Sequence, residues 1–308
     1  LCLHVCFCTL RSFARAAIAS PGASASDPDA CLTKPGVDML NDEELTAYMN
    51  RLGLSEEARQ TIRTIRSSDP SRNVKSGKGN VSSRFPSEKV GLTIQAESHT
   101  VELAAVYEWE HDPDVLEFWD QPPQIKVSGE RGGRNHSWRI TADYFVLHRD
   151  WAGWVECKAE SFLLKHVAPE HGWFVRNDDG RWTFPPGQTY ATALGLRFVV
   201  RSSAETDWVS LRNQLLLADY RAKNCPAIKA TDKRAALEKL AQQPWWILRD
   251  FIHADPPVAA DVAFKLIADG LAHVDLGKEL LAEPELVHVF RDEASALAHK
   301  DYLRAMTS

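Results

Sequence analysis

The sequence predicts an α/β protein with a mostly buried sheet, followed by a separate helical module. Three observations predict it. Helical spacing of apolar residues gives way to a series of short extended segments and then returns. Turn-forming residues divide those segments. Beyond Cys225 the composition shifts to helix formers. At 308 residues, 44% hydrophobic and 25% charged, the chain has the balance of a folded protein and is too long for one typical core. No apolar run approaches the roughly 20 residues that a membrane-spanning helix requires, so no membrane span is expected.

From Asn41 to about Arg66, Leu45, Met49, Leu52, Leu54, Ile62 and Ile65 recur at helical spacing interrupted near Gly53, which predicts two short helices. Asn41 or Asp42 can cap the first, whose opening turn is acidic. The Ser, Gly and Pro of "SSDPSRNVKSGKGNVSSRFPSE" mark a linker. A further helix is expected from about Ser98 to Glu110, ending before Pro113.

The segments "VLEFW", "QIKV", "SWRITADYFVLHR" and "GWVECKA" follow, with breaks at "DQPP", "SGERGGRNH" and "DWAG", and predict an antiparallel meander. The strand "LGLRFVVRS" and the helix "ETDWVSLRNQLLLADY" complete this part. After it, "DKRAALEKLA", "PWWILRDFIH" and "PPVAADVAFKLIADG" read as three helices and "LAHVDL" as a short strand, the outline of a winged-helix module. Its third helix offers only Lys265 for reading bases, so partner docking is as good a role for it as DNA contact.

The formal charge of -6 is unevenly spread. Between Arg51 and Val90, nine basic residues stand against four acids, a local excess that suits phosphate. The plainer reading is a solvated helix and a basic loop. Four of the six cysteines, Cys2, Cys6, Cys8 and Cys31, lie in the first 38 residues. The two that remain make no disulfide framework, which suggests a reducing compartment. Residues 1–38 read as a disordered or mis-assigned leader. His166 and His171 are too loosely spaced across a proline to specify a metal site. Trp109, Trp119, Trp138, Trp151 and Trp154 cluster in the extended region and are expected in the core rather than stacked on bases.

The chemistry concentrates in "ITADYFVLHRDWAGWVECKAES". Strand periodicity puts Glu156 and Lys158 on one face, with Val155 and Cys157 on the other. A short turn at Asp150 to Gly153 would bring Asp143 beside them. Two carboxylates about 4 Å apart repel by roughly 4 kcal/mol at an effective dielectric near 20, and a lysine offsets that only in part. A hard divalent cation, magnesium or manganese, removes the conflict and can activate water at a phosphodiester. The competing reading is an ordinary half-exposed hairpin with a cross-strand ion pair.

"VELAAVYEWEHDPDVLEFWDQPPQI", "ITADYFVL" and "GWVECKAES" together resemble the TnsA-type endonuclease subunit of heteromeric bacterial transposases, over about Glu97 to Tyr220. "NQLLLADY" and "LIADGLAHVDL" resemble the family's later parts. The resemblance implies a restriction-endonuclease-like core, a mixed sheet flanked by helices, with a C-terminal helical, winged-helix-like domain. It implies Glu102 as the helix carboxylate, Asp143 and Glu156 as further metal ligands, and Lys158 as the catalytic lysine. Glu97 or Glu108 replaces Glu102 if the helix register differs, Gln121 fits a structural turn, and Ala142 stands where the family usually has proline.

The resemblance further implies Mg2+, with Mn2+ as a substitute, and cleavage of the 5′, non-transferred strand of double-stranded DNA in the bacterial cytoplasm. The partners it implies are a DDE-type transposase and an ATPase regulator that contacts the C-terminal domain. Arg63, Arg66, Arg72, Lys75, Lys78 and Arg84 would follow DNA backbone. The expected organisation is a leader at 1–38, a small helical segment and basic linker at 39–90, a nuclease domain at 91–222 and a docking domain at 223–308. Two other readings stand beside it: a catalytically silent assembly subunit that recruits a transposase, and a free-standing defence or repair nuclease of the same fold.

Overall fold

The computed structural model describes residues 39–71, 83–98, 101–131, 134–167 and 173–307. The expected leader, Arg72, Lys75, Lys78 and His171 lie outside the described residues. Among those described, no helix is long and apolar enough to cross a membrane.

Two helices open the structure, α1 (Asp42–Arg51) and α2 (Glu56–Ser67). Asn41 Oδ1 accepts from the amides of Glu43 and Glu44 at 3.0 and 2.9 Å, and Glu44 accepts from the Asn41 amide at 2.9 Å. This reciprocal capping box satisfies backbone donors that a helix start otherwise leaves open. Gly53, at φ +62°, turns the chain into α2, which Ser55 caps.

Next come the hairpin of β1 (Ser83–Pro86) and β2 (Thr93–Ala96) and the helix α3 (Glu102–His111). Lys89 closes the far end of α3: its ammonium donates to the carbonyls of Trp109, Asp112 and Val115 at 2.6, 2.5 and 2.7 Å. Burial of that amine lowers its pKa to about 8.

The extended region contains β3 (Val115–Asp120), β4 (Ile125–Arg131), β5 (Arg134–Ile140), β6 (Tyr144–His148) and β7 (Trp151–Lys158). The chain continues through α4 (Glu160–Lys165), β8 (Val175–Arg176), β9 (Trp182–Thr183), α5 (Pro185–Ala193) and β10 (Arg197–Ser202). The expected uninterrupted meander is corrected in one respect. Only β3, β6 and β7 pair antiparallel in the main sheet, while β4 and β5 leave it as a ribbon of their own. The segment read as one strand from Ser137 to Arg149 therefore breaks at Thr141–Asp143. Likewise, Trp151 to Gly153 belong to β7 rather than to a turn, because only Arg149 and Asp150 connect it to β6.

The sheet order is β10-β7-β6-β3, and β10 is parallel to β7. A parallel neighbour demands a crossover, which α4, β8–β9 and α5 supply. Alternating residues serve two layers. Phe145, Leu147, Trp154, Phe198 and Val200 share a core with α1, α2 and α5, while Tyr144, Val146, Val155 and Cys157 share one with α3. The helices α1 and α2 pack into this core: Tyr48, Met49 and Ile62 are fully buried against the sheet. Trp109, Trp119 and Trp154 are buried as expected, with Trp138 and Trp151 half-buried.

A short 3-10 turn leads into α6 (Trp208–Arg221), followed by α7 (Ala230–Leu240), β11 (Trp245–Ile247), α8 (Leu248–Ile252), α9 (Ala260–Ala268), β12 (His288–Phe290) and α10 (Glu293–Thr307). "PWWILRDFIH" was expected to be one helix, but Trp245 to Ile247 pair with His288 to Phe290 and only the following turn is helical. The strand expected at "LAHVDL" reduces to one bridge, His273 to Phe290. These elements have their own core, yet α6 contributes Leu217 to it. The protein is therefore a mixed α/β structure whose mixed sheet has helices on both faces.

Candidate active site

The strand directions bring several polar residues to one end of the sheet. Lys158 closes β7, Asp143 immediately precedes β6, Asp120 closes β3, and Ser202 pairs in register with Lys158. Lys158 Nζ lies 2.5 Å from Glu156 Oε1 and 3.5 Å from Asp143 Oδ2, and it donates to the Cys157 carbonyl at 3.3 Å. Asp143 Oδ2 also accepts from the Cys157 amide at 2.8 Å. That bond ties the chain before β6 to β7.

Glu102 begins α3, where the helix N-terminus favours negative charge. Its Oε2 accepts from the Glu97 amide at 2.7 Å. Burial first, and then the charge of Asp143, push the Glu102 pKa up to about 7. Burial and Asp143 also push Glu156 up to about 7, with Lys158 pulling the other way. Burial works against charge on Lys158, but Asp143 and Glu156 outweigh it and hold the amine above the ordinary lysine range. With every group ionised, three carboxylates face one ammonium, an excess of two negative charges.

The oxygens of Asp143 and Glu156 and the Cys157 carbonyl already surround a cation, the lysine ammonium itself. Such hard oxygens suit magnesium, which takes one or two carboxylates and completes its shell with water and substrate oxygens. As the side chains stand, no three His, Cys, Asp or Glu among the described residues form a ready ligand group.

Of the alternatives to Glu102, Glu108 is committed elsewhere: Arg201 of β10 forks onto it with bonds of 3.0 and 2.5 Å. Gln121 stands in the turn between β3 and β4. It adopts φ +46°, and its amide donates to the Asp143 carbonyl at 2.8 Å. Sequence reading missed Gln95 and Asp120, a buried pair beside this turn in which Gln95 Nε2 donates to Asp120 Oδ2 at 3.0 Å. It also missed Glu160, which accepts from Trp182 Nε1 at 2.9 Å and from the Ser202 hydroxyl. The signal in "FWDQPP" was the acid directly before the turn.

The expected basic track changes most. Arg66 points inward, with Nε 2.9 Å from the fully buried Glu117 and Nη2 2.6 Å from the Leu40 carbonyl, so it is not available to phosphate. Arg63 lies 3.5 Å from Glu56 on the exposed side of α2, and Arg84 is exposed on β1. No protein-family model and no curated protein sequence matches the chain.

Proposed function

We propose that this chain is a divalent-metal-dependent DNA endonuclease with a restriction-endonuclease-like core, working as the TnsA-type subunit of a transposition complex. The observation that carries the reading is the lysine held between Asp143 and Glu156 at the open end of a mixed sheet, with Glu102 at a helix start beside it. A structural ion pair needs one acid; this site spends three acids on one base and leaves an excess of negative charge. The resemblance of "VELAAVYEWE" and "GWVECKAES" to that family supports the same reading.

Asp143, Glu156 and Glu102 would hold Mg2+, or Mn2+ in its place, and the bound ion would supply a more acidic water and charge stabilisation at the scissile phosphate. The raised pKa keeps Lys158 protonated, so its role is to donate hydrogen bonds from Nζ, orienting the attacking water and a phosphate oxygen. Before an ion binds, Glu102 and Glu156, both near 7, can hold a proton at neutral pH, which the ion would displace. The three-helix unit with its β11–β12 pair is winged-helix-like and serves to dock the DDE-type transposase and ATPase regulator.

The test is strand nicking of end-containing duplex DNA with magnesium, with and without a transposase partner. Lys158→Ala and Asp143→Asn are expected to lower nicking by at least about 100-fold while circular dichroism shows the fold retained. Equal nicking by these variants would end the proposal. One observation favours the silent assembly subunit: α10 exposes Leu297, Tyr302, Leu303 and Met306, more apolar surface than a free helix needs. That reading predicts no metal-dependent nicking by the parent protein under any condition, with transposase recruitment intact.

A further inference from the structure

The basic residues on α2 are partly consumed inside the fold, but other cations stand at the site. The ribbon of β4 and β5 springs from the active-site end of the sheet. The loop that starts at Gln121 leads into β4, and Asp143 follows the end of β5 by three residues. Because the Gln121 amide bonds to the Asp143 carbonyl, both strands of the ribbon are rooted at the same point.

One face of this ribbon is fixed against the protein. Val127 is fully buried, Trp138 packs on Trp173 with ring centres 4.2 Å apart, and Gly129 lies so close to Pro186 that a Cβ there would come within 2.9 Å of it. The strand period then forces the opposite face outward. Along that face the cross-strand pairs are Lys126 with Arg139, Ser128 with Ser137, and Glu130 with Asn135, all exposed. Arg134 adds an exposed cation at the tip.

Two cations directly opposite each other repel, at a cost of a few tenths to about 1 kcal/mol in a hairpin. Among the described residues, neither Lys126 nor Arg139 forms an ion pair that would relieve it. The paired serines hydrogen-bond at 2.7 Å and keep the middle of the face small and polar. A face of this kind suits a polyanion. The seven-residue strands extend roughly 23 Å, and a two-stranded ribbon is of a width that the major groove of B-form DNA admits, with phosphates on both sides.

We propose that the outer face of the β4–β5 ribbon is a duplex-DNA docking surface, with Lys126 and Arg139 contacting backbone phosphates and Ser128 and Ser137 facing the groove. The proposal deepens the nuclease reading and rests on it for the choice of DNA as the polyanion. Arg139 lies four residues before Asp143, at most about 14 Å along an extended chain. A phosphate held by the ribbon is therefore within a few nucleotides of the carboxylates.

The test is fluorescence-anisotropy titration of the full chain with duplex DNA, without divalent ions and across a range of salt. Lys126→Glu with Arg139→Glu is expected to weaken binding at least tenfold. The pair Lys126→Ala with Arg139→Ala is expected to flatten the slope of log affinity against log salt by about 2, close to one unit per lost phosphate contact. The parent's affinity and slope are expected to persist in Arg234→Glu, an exposed cation of α7.

No binding by the parent, or unchanged affinity and slope in the ribbon variants, would overturn the proposal. So would loss confined to Arg234→Glu. Nicking is read separately with magnesium. A parent that binds through the ribbon but never nicks keeps this surface and loses the nuclease reading. A parent that nicks while the ribbon variants bind normally does the reverse.

Discussion

Arg66 and Glu117 form an ion pair inside the core, 2.9 Å apart, and Leu40 is bound into it from both sides: its amide donates to Glu117 at 2.5 Å and its carbonyl accepts from Arg66 at 2.6 Å. The pair fastens the start of α1, the end of α2 and β3 together. Arg66→Ala leaves a fully buried carboxylate without its cation, which is expected to cost about 3–5 kcal/mol. The joint replacement Arg66→Met with Glu117→Leu removes both charges and is expected to recover most of that loss. Urea unfolding of the three proteins checks this. Unchanged midpoints for Arg66→Ala would show that the pair is not buried.

The same pair shows what the sequence could and could not disclose. The capped start of α1 was legible because Asn41 and its partners Glu43 and Glu44 lie within four residues of each other. Arg66 looked like one of a series of solvated cations, because its partner lies 51 positions away. The ribbon was legible only at "QIKV" and from Ser137: Ser128 to Arg131 and Arg134 to His136, which read as a break, pair as strand. The ribbon's departure from the main sheet was not legible, since pairing is decided by neighbours distant in sequence. Trp245 to Ile247 read as helix for the same reason, their partner strand being at His288 to Phe290. At the site, the two-residue period joined Glu156 to Lys158 and the hairpin added Asp143. Gln95 and Asp120 meet only through the fold.

Gly153 sits where β7 meets β10, and a Cβ there would lie 2.0 Å from the Arg197 carbonyl oxygen. Backbone cannot give way as a flexible side chain can. Gly153→Ala is therefore expected to separate the parallel pair and destabilise the protein by about 3 kcal/mol or more, at the upper end of overpacking costs. Lys158 opposite Ser202 lies at the far end of the same pairing, so under the proposed nuclease function nicking should fall as the pair separates, along with the unfolding midpoint. Wild-type stability in this variant would show that β7 and β10 are not paired in this register.

Asn213 holds α6 to the loop before β12. Its amide nitrogen donates to the Leu276 and Glu279 carbonyls, both at 2.8 Å, and its oxygen accepts from the Leu281 amide at 2.8 Å. The side chain is fully buried, so Asn213→Ala leaves three backbone groups unpaired. Each buried orphan costs about 1–3 kcal/mol, and the variant is expected to lose at least about 3 kcal/mol by thermal or urea unfolding. Hydrogen exchange at the Leu281 amide should accelerate first. An unchanged exchange rate there would contradict the latch.

Glu102 and Glu156 carry pKa values raised from 4.5 to about 7, and the sign of the resulting pH dependence is fixed. Between those values the folded protein holds protons that the unfolded chain has released, so stability is greatest below the unfolded pKa and declines as pH rises through about 7. The proposed dication would oppose that decline, because it would bind the deprotonated carboxylates and take over the charge that Lys158 balances only in part. Magnesium at 100 times its dissociation constant adds about 2.7 kcal/mol. The expected outcome is a clear upward shift of the melting midpoint with magnesium at about pH 8 and almost none at about pH 5.5, where the protons must first be displaced. Asp143→Asn should abolish the shift at both pH values. Calorimetry of the parent and this variant, with and without the ion, measures it, and a magnesium shift that is equal at the two pH values or survives Asp143→Asn would place the ion elsewhere.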